Sequence, residues 1–120
     1  SVLGGLGNDT LGGDSGRDRM FGGEGDDRMF GGLGVDTLLG EAGHDLIYGG
    51  ADGDRLYGGE GNDVISGFPG DDILSGGPGD DNLAGNEGFD LLRGGLGQDT
   101  CYSGEDVVCE VQRLARPTPL

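Results

Sequence analysis

The chain has 120 residues, of which 31 are glycine, none is tryptophan or lysine, and only 32% are hydrophobic. Twenty-three acids against seven arginines leave a net charge of −16, too polar and too self-repelling for an ordinary core to fold the chain unaided. A nucleic-acid partner is excluded for want of a basic face, and no apolar run is long enough to span a membrane.

The chain opens in the middle of a repeat, with Val2 already in an apolar column and no leader-like segment, so any export signal is expected to be removed or to lie elsewhere. From Gly4 a nine-residue unit then runs eleven times without interruption. Its first position is glycine at Gly4, Gly13, Gly22, Gly31, Gly40, Gly49, Gly58, Gly67, Gly76, Gly85 and Gly94. Its sixth position is aspartate at Asp9, Asp18, Asp27, Asp36, Asp45, Asp54, Asp63, Asp72, Asp81, Asp90 and Asp99. Its eighth is apolar: Leu11, Met20, Met29, Leu38, Ile47, Leu56, Ile65, Leu74, Leu83, Leu92 and finally Cys101. The fourth position is glycine except at Asp52, where Gly53 is expected to take over the flexible role. The second position is looser, with Asp14, Glu41, Phe68 and Asn86 among its glycines.

Each unit reads as a six-residue turn followed by a three-residue strand whose middle side chain points inward. Such a strand cannot stand alone and becomes stable only when coils stack over a shared interior. Two units per coil place alternate repeats in two facing parallel sheets of short strands, an all-β solenoid. Collagen fails, because the seventh position never contains glycine. Disorder does not explain an apolar residue held in phase with an aspartate throughout. Beyond Tyr102 the period breaks. The roll is assigned to residues 1–102, and residues 103–120 to a shortened last repeat, a cap and a tail, Glu110 to Leu120, that carries Arg113, Arg116, Pro117 and Pro119. In that short repeat Asp106 and Val108 are expected in the acid and apolar roles.

The units Gly4-Gly5-Leu6-Gly7-Asn8-Asp9-Thr10-Leu11 and Gly58-Gly59-Glu60-Gly61-Asn62-Asp63-Val64-Ile65 resemble the RTX (repeats-in-toxin, hemolysin-type) nonapeptide GGxGxDxUx. The resemblance covers residues 1 to about 109. It implies a right-handed parallel β-roll with calcium in rows along both turn edges. RTX modules occur in secreted bacterial proteases, lipases, toxins, epimerases and adhesins, so the module itself fixes no catalytic activity.

The chemistry agrees with that implication. Calcium takes six to eight oxygen ligands, chiefly carboxylates and backbone carbonyls. The sixth-column aspartates supply the carboxylates. Glycine-rich turns supply carbonyls, among them Gly22, Gly25, Gly31, Gly34, Gly58, Gly61, Gly76 and Gly79. Turns two repeats apart stack, so Asp9 with Asp27, Asp27 with Asp45 and Asp45 with Asp63 begin one row. Asp18 with Asp36, Asp36 with Asp54 and Asp54 with Asp72 begin the other. Eleven turns give nine such pairs, hence up to about nine ions. A solvated acidic face is the alternative, and the fixed glycine phase disfavours it. Asp26, Asp71 and Asp80, present in only some repeats, are expected to face solvent. Folding is expected to require calcium at extracellular concentrations, which places the module outside the cell or at its surface.

Cys101 and Cys109, eight residues apart, are expected to form a disulfide across the last turn, with free buried thiols as the alternative. Many RTX proteins exported by the type I route lack cysteine, so the pair points to another route. His44 reads as an exposed turn residue with no nucleophile in the pattern, and no active site is found. Facing outward, one sheet displays Arg28, Phe30, Leu46, Tyr48 and Val64, and the other Arg19, Phe21, Leu39, Arg55, Tyr57, Ile73 and Leu91. They fit either cross-strand pairing or a surface for a protein partner, including a second copy. The leading functional reading is a secreted, non-catalytic calcium-binding module that folds or stiffens a larger exoprotein or adhesin. The alternative is a self-assembling extracellular subunit, a filament or matrix built from calcium-loaded rolls.

Overall fold

The computed structural model describes residues 1–102, and residues 107–112 as backbone. The described residues form thirteen strands and no helix, so no helix among them could cross a membrane. The strands are β1 (Val2–Leu6), β2 (Thr10–Gly12), β3 (Arg19–Glu24), β4 (Arg28–Gly32), β5 (Thr37–Ala42), β6 (Leu46–Gly50) and β7 (Arg55–Tyr57). They continue with β8 (Val64–Ser66), β9 (Ile73–Ser75), β10 (Asn82–Ala84), β11 (Asp90–Leu96), β12 (Thr100–Tyr102) and β13 (Val107–Gln112). Odd-numbered strands make one parallel sheet and even-numbered strands the other. Register advances by two repeats at each step, as in Leu38 opposite Leu56 and Ile47 opposite Ile65. The result is a β-solenoid of two nonapeptides per coil, as the period predicts.

The eighth-column side chains from Leu11 to Leu92 form one continuous buried core, with Val2 and Cys101 packed against its ends. Each coil adds only two apolar side chains, so the interior is a single file between two sheets. Position along the chain fixes which sheet receives each one.

Three features differ from the sequence reading. Several strands run past three residues, because the ladder continues through the turn's opening positions, as in Gly5 opposite Gly23 and Gly23 opposite Glu41. The three-residue strands β8 and β9 instead lead toward Pro69 and Pro78, which lack the N–H that such an extension needs. Asp52 takes the left-handed conformation itself, with φ 75°, and Gly53 is not left-handed, so the flexible position does not shift. The substituted second positions behave likewise: Asp14, Glu41, Phe68 and Asn86 all hold φ of 69–72°. The fold imposes this backbone whatever the residue, most expensively at the bulky Phe68. Finally, β13 places Val108 opposite Leu91 and Cys109 opposite Leu92. Cys109, not Val108, therefore stands in the apolar register, because the last repeat is one residue short. Asp106 and the tail from Arg113 onward lie outside the described residues.

On the even-numbered sheet, Phe30 and Tyr48 meet edge to face at 5.5 Å, and Tyr48 and Phe68 at 5.3 Å. These outward aromatics pair across strands. Phe68 extends the stripe from a turn position.

Candidate metal centre

The aspartates that end the turns stack in two rows, one per edge of the solenoid. The first row runs through Asp9, Asp27, Asp45, Asp63, Asp81 and Asp99, the second through Asp18, Asp36, Asp54, Asp72 and Asp90. Within each row the N–H of one aspartate donates to Oδ1 of the aspartate one coil later. Asp27 N–H reaches Asp45 Oδ1 at 2.9 Å, Asp45 N–H reaches Asp63 Oδ1 at 2.8 Å and Asp36 N–H reaches Asp54 Oδ1 at 2.8 Å. All nine stacked pairs are joined in this way. One carboxylate oxygen is thus committed to holding the coils in register.

The other oxygen has no protein partner. Oδ2 of all eleven aspartates is shielded from solvent and accepts no hydrogen bond. From Asp27 to Asp90 the whole residue is buried. A buried carboxylate oxygen without a donor is costly, and here the cost recurs at every turn.

The orphaned oxygens of Asp9, Asp18, Asp27, Asp36, Asp45, Asp63 and Asp81 share their space with a carbonyl oxygen of the next coil. A Cβ on Gly13 would sit 2.5 Å from Asp18 Oδ2 and 2.6 Å from the carbonyl oxygen of Gly31 in the next coil. Gly22 repeats this with Asp27 Oδ2 and Gly40 O at 2.5 and 2.7 Å. Only a residue without a side chain leaves this space open. The fourth-position carbonyls reach across the same interval from the other coil: Gly7 O lies against Gly25, whose φ of 115° also demands glycine. The carbonyl of a first glycine therefore points back one coil, and that of a fourth-position glycine points forward one. The first-position carbonyls thus share their space with Oδ2, while the fourth-position carbonyls bridge the same coils beside the fifth-position side chains. Among the described residues no three His, Cys, Asp or Glu side chains cluster as a metal site by themselves. A cation here would need carbonyl ligands, the donor set that a hard cation such as calcium accepts.

Burial raises the carboxyls above their ordinary 3.8: Asp45 to about 6, Asp54 and Asp81 to about 7, and Asp63 and Asp72 to about 8. Asp36 and Asp90 are raised as well. Loss of water is the largest cause; the N–H given to Oδ1 opposes it, and neighbouring carboxylates add to it. A file of dehydrated carboxylates at neutral pH takes up either protons or a cation.

The fifth-position residues carry a second ladder that sequence reasoning missed. Asn8 Oδ1, Asp26 Oδ1, His44 Nδ1, Asn62 Oδ1 and Asp80 Oδ1 each accept the N–H of the residue one coil later, ending at Gln98. Asp71 does so for Phe89 on the opposite edge. These residues are exposed, as expected for Asp26, Asp71 and Asp80, yet they brace the turns. Their shared property is a short side chain with an acceptor, a signal visible in the column Asn, Asp, His, Asn, Asp. The expected Cys101–Cys109 bond involves a side chain outside the described residues.

The family model for the RTX calcium-binding nonapeptide repeat (4 copies) matches at residues 3–38, 21–56, 30–65, 48–83 and 75–107, and so spans nearly the whole chain. Comparison with curated proteins gave no match.

Proposed function

The chain belongs to the RTX calcium-binding nonapeptide repeat family, and on that basis we propose that calcium occupies the intervals between stacked turns and drives the solenoid to fold. The sixth-column aspartates from Asp9 to Asp99 would supply carboxylate oxygens, and the first- and fourth-position glycines would supply carbonyls. Nine stacked pairs set the capacity at about nine ions. The observation that carries this reading is the double file of buried, partnerless Oδ2 atoms. A divalent cation satisfies them and neutralises the rows at the same time.

In this reading the module works outside the cell. Extracellular calcium modules bind at about 10⁻⁴–10⁻³ M, so the chain would stay unfolded at cytosolic calcium and fold after export. It serves a structural role within an exoprotein or adhesin, and a Cys101–Cys109 disulfide closes its last coil. Circular dichroism and size-exclusion chromatography in chelator and in millimolar calcium test the proposal. The expected result is an expanded, disordered chain that becomes a compact β-structure as calcium is added. A β spectrum that survives complete chelation at neutral pH would overturn it.

A further inference from the structure

Basic residues are scarce in this chain, yet three of the seven arginines share one groove. Arg17, Arg19 and Arg55 line a depression of about 270 Å³ on the odd-numbered sheet, together with Asp18, Val35 and Thr37. Register explains how two of them meet. Arg19 lies opposite Thr37, and Thr37 opposite Arg55, so the arginines flank a threonine on three consecutive strands. At the usual strand spacing their Cα atoms are about 10 Å apart, a separation that two long guanidinium side chains can close around one small group. Arg17 approaches from the adjoining turn.

All three arginines are exposed. None of the three guanidinium groups makes a hydrogen bond or ion pair with another described residue. In a chain with 23 acids this lack of pairing is notable. The nearby carboxylates are turned to other work: Asp18 Oδ2 faces inward, Asp36 Oδ1 accepts Asp18 N–H, and Asp52 Oδ2 accepts Gly34 N–H. Three guanidinium groups gathered in one groove without a direct carboxylate partner repel one another, and a bound anion would relieve this.

We infer that the Arg17–Arg19–Arg55 groove is a binding site for a doubly charged tetrahedral oxyanion, sulfate or phosphate, free or as an ester on a larger molecule. Guanidinium forks match such oxyanions bidentately, and the Thr37 hydroxyl adds a donor between them. Three positive charges favour a dianion over a single carboxylate. The site borders the second aspartate row at Asp18 and opens on the outer face of the sheet, and it needs stacked coils, since Arg19 and Arg55 come from different coils.

The test uses the full chain in calcium, with circular dichroism confirming that every variant folds. Inorganic sulfate is titrated against chloride at equal ionic strength while the arginine Nε–Hε resonances are followed. A second arm compares dextran sulfate with neutral dextran to distinguish free anion from ester. The expected result is a saturable response at Arg17, Arg19 and Arg55. In Arg19→Gln/Arg55→Gln the affinity should fall tenfold or more for each guanidinium removed, roughly the worth of one charge-assisted hydrogen bond. Arg28→Gln, on the other sheet, should leave affinity unchanged. Binding confined to dextran sulfate but lost in the double variant assigns the ester. Equal responses to sulfate and chloride, unchanged affinity in the double variant, or an equal response at Arg28 would overturn the inference. Failure of the chain to fold in calcium would instead appear in the dichroism and would count against the calcium proposal alone.

Discussion

Asp63 separates the two tasks of a row aspartate. Its Oδ1 accepts Asp45 N–H at 2.8 Å, its own N–H donates to Asp81 Oδ1 at 2.8 Å, and its Oδ2 is partnerless. Asp63→Asn retains an oxygen for Asp45 N–H but removes the charge and the second acceptor. Asp63→Ala also abandons the buried Asp45 N–H, which costs about 1–3 kcal/mol more. If the carboxylate is a calcium ligand, both variants should need more calcium to fold, by about tenfold or more for loss of a charged ligand, with Ala the worse. In chelator the order should change. Asp63 is pushed up to about 8 by burial, so the neutral amide should favour the metal-free fold over the aspartate at neutral pH. Calcium titrations followed by circular dichroism read the first effect, and folding forced by an osmolyte in chelator reads the second. An Asn variant that folds at the same or lower calcium than the parent would refute the ligand role.

The raised carboxyls also give a pH dependence with a definite sign. Their folded pKa values exceed the unfolded 3.8, so their contribution to the metal-free fold is complete below that value and is lost as pH rises through about 6 to 8. The chain in chelator should therefore gain β-structure near pH 4; a chain still disordered in acid would count against this. Gly31→Ala places a Cβ 2.5 Å from Gly49 O and 2.6 Å from Asp36 Oδ2, whereas a Cβ on Gly12 meets nothing within 4 Å. Gly31→Ala should therefore weaken calcium-dependent folding strongly while Gly12→Ala leaves the midpoint nearly unchanged. Thiol titration in denaturant without reductant should find no free thiol, and Cys101→Ser should lower thermal stability in calcium by an amount consistent with about 2–4 kcal/mol. Two titratable thiols would remove the disulfide.

The sequence carried the sheets, the core and the aspartate rows because one period dictates all three. Leu56 is buried for the same reason that Asp54 is: each recurs every nine residues, and stacking brings equivalent residues together. What escaped was whatever depends on a particular neighbour one coil away. The conformation of Asp52 could not be read locally, because the coils above and below enforce it. The bracing role of His44 needed Asp26 and Asn62, each 18 residues distant. The exchange of Val108 for Cys109 turned on a single missing residue in the last repeat, where the period no longer guides. The arginine groove had its outward members Arg19 and Arg55 in view, but only register shows that they flank Thr37.

The most direct trial is diffraction from crystals grown in calcium, with anomalous scattering used to locate the ions. Two files of calcium should stand between successive turns, each in contact with an aspartate Oδ2 and glycine carbonyls from both coils. Oδ2 atoms bonded only to water or to protein donors, with calcium bound elsewhere or not at all, would contradict the assignment.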